Sequence, residues 1–116
     1  MVNSLSVAEL KESLENNPET WLVDVRSAEE YERLHAPKVR SVITHTEIAS
    51  ATHLLPDDKS TPIYLICNSG NRSVKAARVL AELGFTGVFH VAGGMQAWLD
   101  MGFPVESGRG ILDTSG

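Results

Sequence analysis

The sequence centres on an apolar run that ends at a cysteine and continues as a polar loop, Tyr64-Leu65-Ile66-Cys67-Asn68-Ser69-Gly70-Asn71-Arg72-Ser73. The run from Ile63 to Ile66 is rich in β-branched and aromatic residues and follows Pro62, which predicts a buried strand. Apolar residues then recur at helical spacing from Ser73 to Leu83, which predicts a helix. The cysteine therefore lies in a strand-to-helix turn, the place where open α/β sheets bind ligands.

The polar loop has the composition of an anion site around the thiol of Cys67. If the amides of residues 68–73 point inward at the start of a helix, the sulfur is surrounded by N–H donors. A free thiol has a pKa of about 8.5, and a helix N-terminus together with the guanidinium of Arg72 lowers it. Gly70 permits a tight or left-handed turn within the loop. These features favour a nucleophilic thiolate over a buried structural cysteine, which needs neither the glycine nor the arginine.

Three segments of the chain, taken in order, carry a recognisable pattern. The matching residues are Cys67, Gly70, Arg72 and Ser73 in the loop, Leu22–Arg26 with Glu30 and Tyr31 before it, and Gly93–Trp98 after it. They resemble the three signatures of the rhodanese family of sulfurtransferases, whose active-site loop has the form Cys-x-x-Gly-x-Arg-Ser. Together they span about residues 6 to 105, so the resemblance covers nearly the whole chain.

The resemblance implies an α/β fold with a central, mainly parallel sheet flanked by helices on both faces. Residues 1–105 are expected to form this single rhodanese-like domain, and residues 106–116 a mobile C-terminal tail. Local patterns agree with a layered α/β fold. They predict helices at Ser6–Glu15, Ser27–Leu34 and after Gly93-Gly94, strands at Trp21–Val25, Val39–Ile43 and Val88–Val91, and a helix or pair of turns at Thr44–Leu55.

The resemblance also implies sulfur transfer through the thiol of Cys67. The thiolate takes the outer sulfur of a small anionic donor such as thiosulfate, and the resulting persulfide passes it to a thiol, to cyanide or to a protein acceptor. The residues expected to bind the donor and the persulfide are Asn68, Ser69, Gly70, Asn71, Arg72 and Ser73. Asp24 and Arg26 form either an ion pair that braces the neighbouring loop or simply a polar pair at the strand end, and the resemblance, which covers both residues, favours the bracing role. No cofactor and no metal are implied.

Three other functions are compatible with a cysteine in such a loop. A cysteine phosphatase needs five residues between cysteine and arginine to cradle a tetrahedral oxyanion, whereas Cys67 and Arg72 are separated by four. A binding module that carries sulfur between proteins without turnover stays open, although an inactive module has little use for the loop residues. A redox sensor is disfavoured because the chain has no second cysteine to resolve an oxidised thiol.

Composition limits the partners and the location. The 116 residues suffice for one domain, and the net charge of -5 argues against nucleic acid or an anionic membrane as partner. A single cysteine makes no internal disulfide, and an exposed reactive thiol favours the cytoplasm. Histidines 35, 45, 53 and 90 have no metal-ligand spacing, so we expect them at the surface. We expect a monomer or a weak homodimer.

The turn at His35–Val39 departs from the family pattern. The family places glycine on both sides of its His-x-Pro core, whereas Leu34 and Lys38 stand at those positions here. The histidine and the proline are kept, so we expect the turn to be kept, while its backbone angles and the packing of Ala36 stay open, because glycine adopts angles that other residues do not.

Overall fold

Five short parallel strands build the sheet in the computed structural model, which describes residues 2–112. The strands are β1 (Asn3–Leu5), β2 (Leu22–Asp24), β3 (Val39–Val42), β4 (Ile63–Ile66) and β5 (Val88–Val91). Their order across the sheet is β1-β5-β4-β2-β3. The helices are α1 (Val7–Asn16), α2 (Ala28–Arg33), α3 (Asn71–Glu82) and α4 (Gly94–Asp100). The predicted α/β class with a parallel sheet is confirmed.

Strand β4 lies at the centre of the sheet and separates two hydrophobic cores. Ile63 and Leu65 pack on one face with Leu80 of α3. Ile66 packs on the opposite face with Trp98 of α4, since successive side chains of a strand alternate. Trp98 is fully buried, as expected of a core anchor, and its indole N–H donates to the carbonyl of Pro104. With both faces covered, β4 delivers the next residue, Cys67, to the carboxyl edge of the sheet at its middle.

The edge strand β1 is absent from the sequence-based prediction. It has only three residues, of which Asn3 and Ser4 are exposed, and it pairs with β5 alone. No apolar alternation marks such a strand, because its main stabilisation is backbone pairing with a partner far away in sequence.

Two predicted elements have different bounds in the structure. The segment predicted as a helix or turns contains two short 3₁₀ helices, His45–Ser50 and Thr52–Leu54. Helix α3 begins at Asn71, two residues earlier than predicted, and it ends at Glu82. Leu83, predicted to face the sheet, is therefore past the last helical residue and is 39% exposed. No helix within residues 2–112 combines the length and the apolar character needed to cross a membrane.

His35 is buried, contrary to the expectation that all four histidines lie at the surface. Its ring is 2% exposed and stacks on Tyr31 with the ring centroids 3.7 Å apart. Its Nδ1 lies 2.6 Å from the carbonyl oxygen of Tyr31. The stacking and the hydrogen bond together satisfy a polar ring away from water, which the sequence pattern does not reveal.

Lys38 adopts the left-handed backbone conformation where the family has glycine. Its φ is +63°, the one positive φ of a non-glycine residue within residues 2–112. The Lys38 ammonium donates to the carbonyl of Leu14 at 2.8 Å, at the end of α1. The turn is thus kept at the cost of backbone strain, and the side chain offsets part of that strain through a bond to α1.

We expect Lys38→Gly to be more stable than Lys38→Ala by about 1 kcal/mol. Both variants lose the bond to Leu14, but only glycine relieves the left-handed strain at this position. Urea unfolding of the two variants measures the difference. Equal stabilities would show that the left-handed conformation costs nothing here.

The described part of the C-terminal tail contacts the domain. Glu106 and His35 exchange two backbone hydrogen bonds of 2.9 Å. The amide of Gly108 donates to the carbonyl of Glu32 at 2.7 Å, and Arg109 forms a 3.0 Å ion pair with the Glu32 carboxylate. These contacts hold residues 106–112 against α2, while residues 113–116 lie outside the described residues. Mobility of the tail stays a prediction.

Candidate active site

The thiol of Cys67 lies at the carboxyl end of β4, beneath the turn that starts α3. The amide of Gly70 donates to its Sγ at 3.0 Å and the amide of Ser73 at 3.4 Å, and the Ser73 hydroxyl oxygen is 3.5 Å from the sulfur. Gly70 precedes α3 with a φ of +103°, the left-handed conformation expected of it. The turn therefore aims N–H donors at the sulfur, as the sequence suggested.

Cys67 is fully buried, in contrast to the exposed thiol assumed from the sequence. Burial by itself raises the pKa of the thiol, since it disfavours the charged form. The hydrogen bond between the sulfur and the Ser73 hydroxyl, together with those from the amides of Ser73, Gly70 and Ser69, outweighs burial, and the net effect lowers the pKa. The loop thus stabilises a thiolate that is shielded from solvent.

Arg72 points to a carboxylate rather than to the sulfur. Its two terminal nitrogens donate to the two carboxylate oxygens of Glu30, Nη1 to Oε1 at 2.7 Å and Nη2 to Oε2 at 2.8 Å. The pKa of Cys67 is lowered by the Ser73 hydroxyl and the amides, and the charge of Cys67 is, after Glu30, among the causes that raise the pKa of Arg72, so the guanidinium and the thiolate also attract each other. Arg72 therefore bonds to Glu30 rather than to the sulfur, because a bidentate carboxylate is a better partner for a guanidinium, and its contribution to keeping the thiol ionised stays a prediction.

The start of helix α4 is hydrogen-bonded to the backbone of the Cys67 loop. The amide of Met95 donates to the carbonyl of Cys67 at 2.8 Å, and the amide of Gln96 donates to the carbonyl of Asn68 at 3.0 Å. Gly94 has a φ of +53°, and a Cβ placed on it would lie 2.3 Å from the Cys67 oxygen. Gly94 is therefore needed for a close backbone approach to the loop, a role that the sequence analysis did not assign.

Asp24 and Arg26 form the buried ion pair that was expected. The Arg26 guanidinium donates to the Asp24 carboxylate at 2.8 Å, and its Nη2 also donates to the carbonyl of Leu34 at 2.7 Å. The pair therefore joins the end of β2 to the residue that follows α2. Since α2 also carries Glu30, this bracing is connected to the Cys67 loop through the ion pair between Glu30 and Arg72.

A comparison with protein-family models matches residues 6–101 to the rhodanese-like domain. This match covers most of the chain and contains all three segments on which the resemblance was based. The chain belongs to the rhodanese-like domain family.

This rhodanese-like domain is similar to proteins that are named as sulfurtransferases or as a sulfur carrier. The chain is 35% identical over 98 residues to a Bacillus subtilis protein named "Putative sulfurtransferase YtwF", covering 84% of this chain and 90% of that protein. It is 34% identical over 97 residues to "Putative sulfur carrier protein YrkF" of the same organism, covering 84% of this chain but only 51% of that protein. The human single-domain sulfurtransferase TSTD1 has a similar structure, with a TM-score of 0.75, 25% identity, and coverage of 86% of this chain and 97% of TSTD1.

The remaining loop residues of the rhodanese-like domain surround the sulfur without bonding to it through their side chains. Asn68 is half-buried, whereas Ser69 and Asn71 are exposed. Within residues 2–112, no group of three or more His, Cys, Asp or Glu side chains is placed to hold a metal ion.

His90 is a site residue that the sequence analysis missed. It lies on β5 with Nδ1 3.5 Å from the Ser73 hydroxyl oxygen, and burial lowers its pKa. The strand register pairs His90 with Leu65, two residues before Cys67. Pairing the carboxyl ends of the two predicted parallel strands would have placed this histidine beside the loop.

We expect Ser73→Ala to raise the pKa of the Cys67 thiol, because the variant removes the hydroxyl but keeps the amide that donates to the sulfur. Thiolate absorbance near 240 nm, followed against pH, measures the midpoint. Ser69→Ala is the matched control, since its exposed side chain can be removed while its amide remains. The same midpoint in the wild type and in Ser73→Ala would contradict the role of the hydroxyl.

We expect Glu30→Gln to reduce the acid sensitivity of the fold. The pKa of Glu30 is lowered from 4.5 to about 2, chiefly by the hydrogen bonds from Arg72, so its stabilisation is complete above pH 5 and is lost as the pH falls towards 2. The shift corresponds to at most about 3 kcal/mol, reduced by solvent screening because both side chains are partly exposed. Urea unfolding at pH 7 and pH 3 measures the loss. A loss in Glu30→Gln as large as in the wild type would contradict this assignment.

Proposed function

We propose that this chain is a sulfurtransferase that carries a sulfane sulfur on Cys67 as a persulfide. The observation that carries the proposal is the set of groups around the sulfur: the Gly70 amide donates at 3.0 Å and the Ser73 amide at 3.4 Å, and the Ser73 hydroxyl oxygen lies 3.5 Å away. A persulfide places a negative sulfur just beyond Sγ, where donors at the start of α3 stabilise it. The names of YtwF and TSTD1 support the same reaction class.

The first displacement loads the sulfur. The Cys67 thiolate attacks the outer sulfur of a donor such as thiosulfate, a bond forms between Sγ and that sulfur, and the bond between the two donor sulfurs breaks. Sulfite leaves with the electron pair of the broken bond. Because Cys67 has no exposed surface, part of the loop between Cys67 and the start of α3 must move before a donor can reach the sulfur.

The second displacement unloads the sulfur. An acceptor thiolate or cyanide attacks the terminal sulfur, and the Cys67 thiolate leaves with the electrons of the sulfur–sulfur bond. The products are an acceptor persulfide or thiocyanate, and the enzyme returns to its starting state. The lowered pKa of the thiol serves this step too, since a more stable thiolate is a better leaving group.

Intact mass spectrometry after incubation with thiosulfate tests the proposal. We expect the wild type to gain the mass of one sulfur atom, to lose it on addition of cyanide, and to release an equal amount of thiocyanate. Hydrolysis of p-nitrophenyl phosphate without a gain of sulfur would instead indicate a cysteine phosphatase.

A sulfur carrier is the second candidate, because the relative YrkF is named as one. A carrier accepts and releases one sulfur but does not turn over with small donors and acceptors. We expect multiple turnovers of thiosulfate and cyanide at saturating concentrations. Loading that stops after one equivalent, with release only to another protein, would favour the carrier.

A further inference from the structure

Arg72, the positively charged residue that follows the Cys67 loop, forms an ion pair with a carboxylate on helix α2. Both terminal nitrogens of its guanidinium bond to Glu30 of α2, at 2.7 and 2.8 Å. The two residues are 42 positions apart in the sequence, and both side chains are about 30% exposed, so the pair lies at the surface beside the buried sulfur. A bidentate pair of this kind uses the face of the guanidinium that an anionic substrate would otherwise occupy.

Glu30 is held in place independently of Arg72. Its Oε1 accepts from the amide of Ser27 at 3.2 Å and from the Ser27 hydroxyl at 3.1 Å, which forms the capping box of α2. Its pKa of about 2 keeps the carboxylate charged at any working pH. The guanidinium is therefore neutralised by a fixed carboxylate, not by a mobile surface group.

Neutralising Arg72 changes the charge that a donor meets. The other nearby cation, Arg26, is already paired with Asp24. The formal charges of these two ion pairs sum to zero, which leaves the negative charge of the Cys67 thiolate, stabilised by the amides of Gly70 and Ser73, and the whole chain carries a net charge of -5. A donor with two negative charges is therefore opposed, while a donor with one charge or none is opposed less.

We propose that Glu30 sets donor specificity by occupying Arg72, so that the site selects sulfur donors carrying at most one negative charge over dianionic thiosulfate. This inference rests on the proposed sulfurtransferase function. Glu30 acts as a positioning residue, since it influences the donor through Arg72. Organic thiosulfonates and low-charge persulfides are the chemical class that fits.

Two donors that differ by one charge provide the test. Thiosulfate is a dianion, and methanethiosulfonate has nearly the same shape with a methyl group in place of one charged oxygen. Glu30→Gln removes the carboxylate charge while its amide oxygen can still accept from Ser27. We expect the KM for thiosulfate to fall roughly fivefold in this variant, with kcat and the KM for methanethiosulfonate changed less than about twofold.

The control variant is Glu32→Gln, on the same helix. Glu32 pairs with Arg109 at the surface, so the substitution changes the net charge equally without touching Arg72. We expect no change in the ratio of the two KM values. The double variant Glu30→Gln with Arg72→Gln should not show the lower KM for thiosulfate, since it lacks the guanidinium that Glu30→Gln frees.

The wild type gives a second readout that needs no variant. If Arg72 is neutralised, added salt screens repulsion and raises kcat/KM for thiosulfate relative to methanethiosulfonate, whereas a free Arg72 gives the opposite slope. The inference would be overturned if added salt lowered kcat/KM for thiosulfate relative to methanethiosulfonate, or if Glu30→Gln changed the KM of both donors equally. If the wild type accepts sulfur from neither donor, the proposed function itself fails.

Discussion

Cys67→Ser is expected to abolish sulfur loading, with a loss of at least about a thousandfold in turnover. A serine hydroxyl stays protonated beside the same amides, and it forms no persulfide. The fold should persist, because the side chains have similar size and the amides of Gly70 and Ser73 remain in place. Intact mass after incubation with thiosulfate and a thiocyanate assay measure the loss.

The control for this variant is Ser60→Ala, an exposed position before β4, at the opposite end of that strand from Cys67. It should load one sulfur like the wild type. Thermal unfolding of both variants separates a chemical effect from a folding effect. Sulfur gain by Cys67→Ser would place the acceptor atom elsewhere and would remove the basis of the proposed mechanism.

Gly94→Ala is expected to cost about 3 kcal/mol or more of folding free energy and to lower sulfur loading with it. The added Cβ would lie 2.3 Å from the Cys67 carbonyl oxygen and 2.8 Å from that of Asn68, and the φ of +53° adds strain of its own. The clashing atoms are backbone atoms of the active-site loop, which cannot move aside without breaking the bonds from Met95 and Gln96. Urea unfolding measures the cost.

Gly102→Ala is the matched control for steric crowding. Gly102 also has a positive φ, +70°, but a Cβ there meets nothing within 4 Å. We expect it to cost about 1 kcal/mol, the strain of the left-handed conformation alone, and to leave loading intact. Equal costs for the two variants would show that the close approach of α4 to the loop is not what the glycine provides.

The local elements could be predicted because their signals lie within a few residues. The capping boxes at Ser6 and Ser27 are both present, and α1 and α2 begin at the residues that follow them. The buried run before Cys67 forms β4, and Gly70 adopts the left-handed conformation needed at the start of α3. The capping serines bond to backbone amides within their own turn, and a glycine permits the left-handed angles of its own turn. A short stretch of sequence is therefore enough to predict these features.

Local patterns of residues are enough to predict the parallel α/β fold and the candidate loop at Cys67 with its backbone donors. Which charges and side chains surround that loop depends on how the elements pack. Arg72 bonds to Glu30 rather than to the sulfur, His90 reaches Ser73 from another strand, and Gly94 lies against the loop backbone. These contacts join residues 17 to 42 positions apart in the sequence. The residues lie on different elements, so the contacts depend on how the helices and strands pack. The charge of the site is therefore a property of the packed fold, because opposite charges pair by distance in space and not by position in the chain.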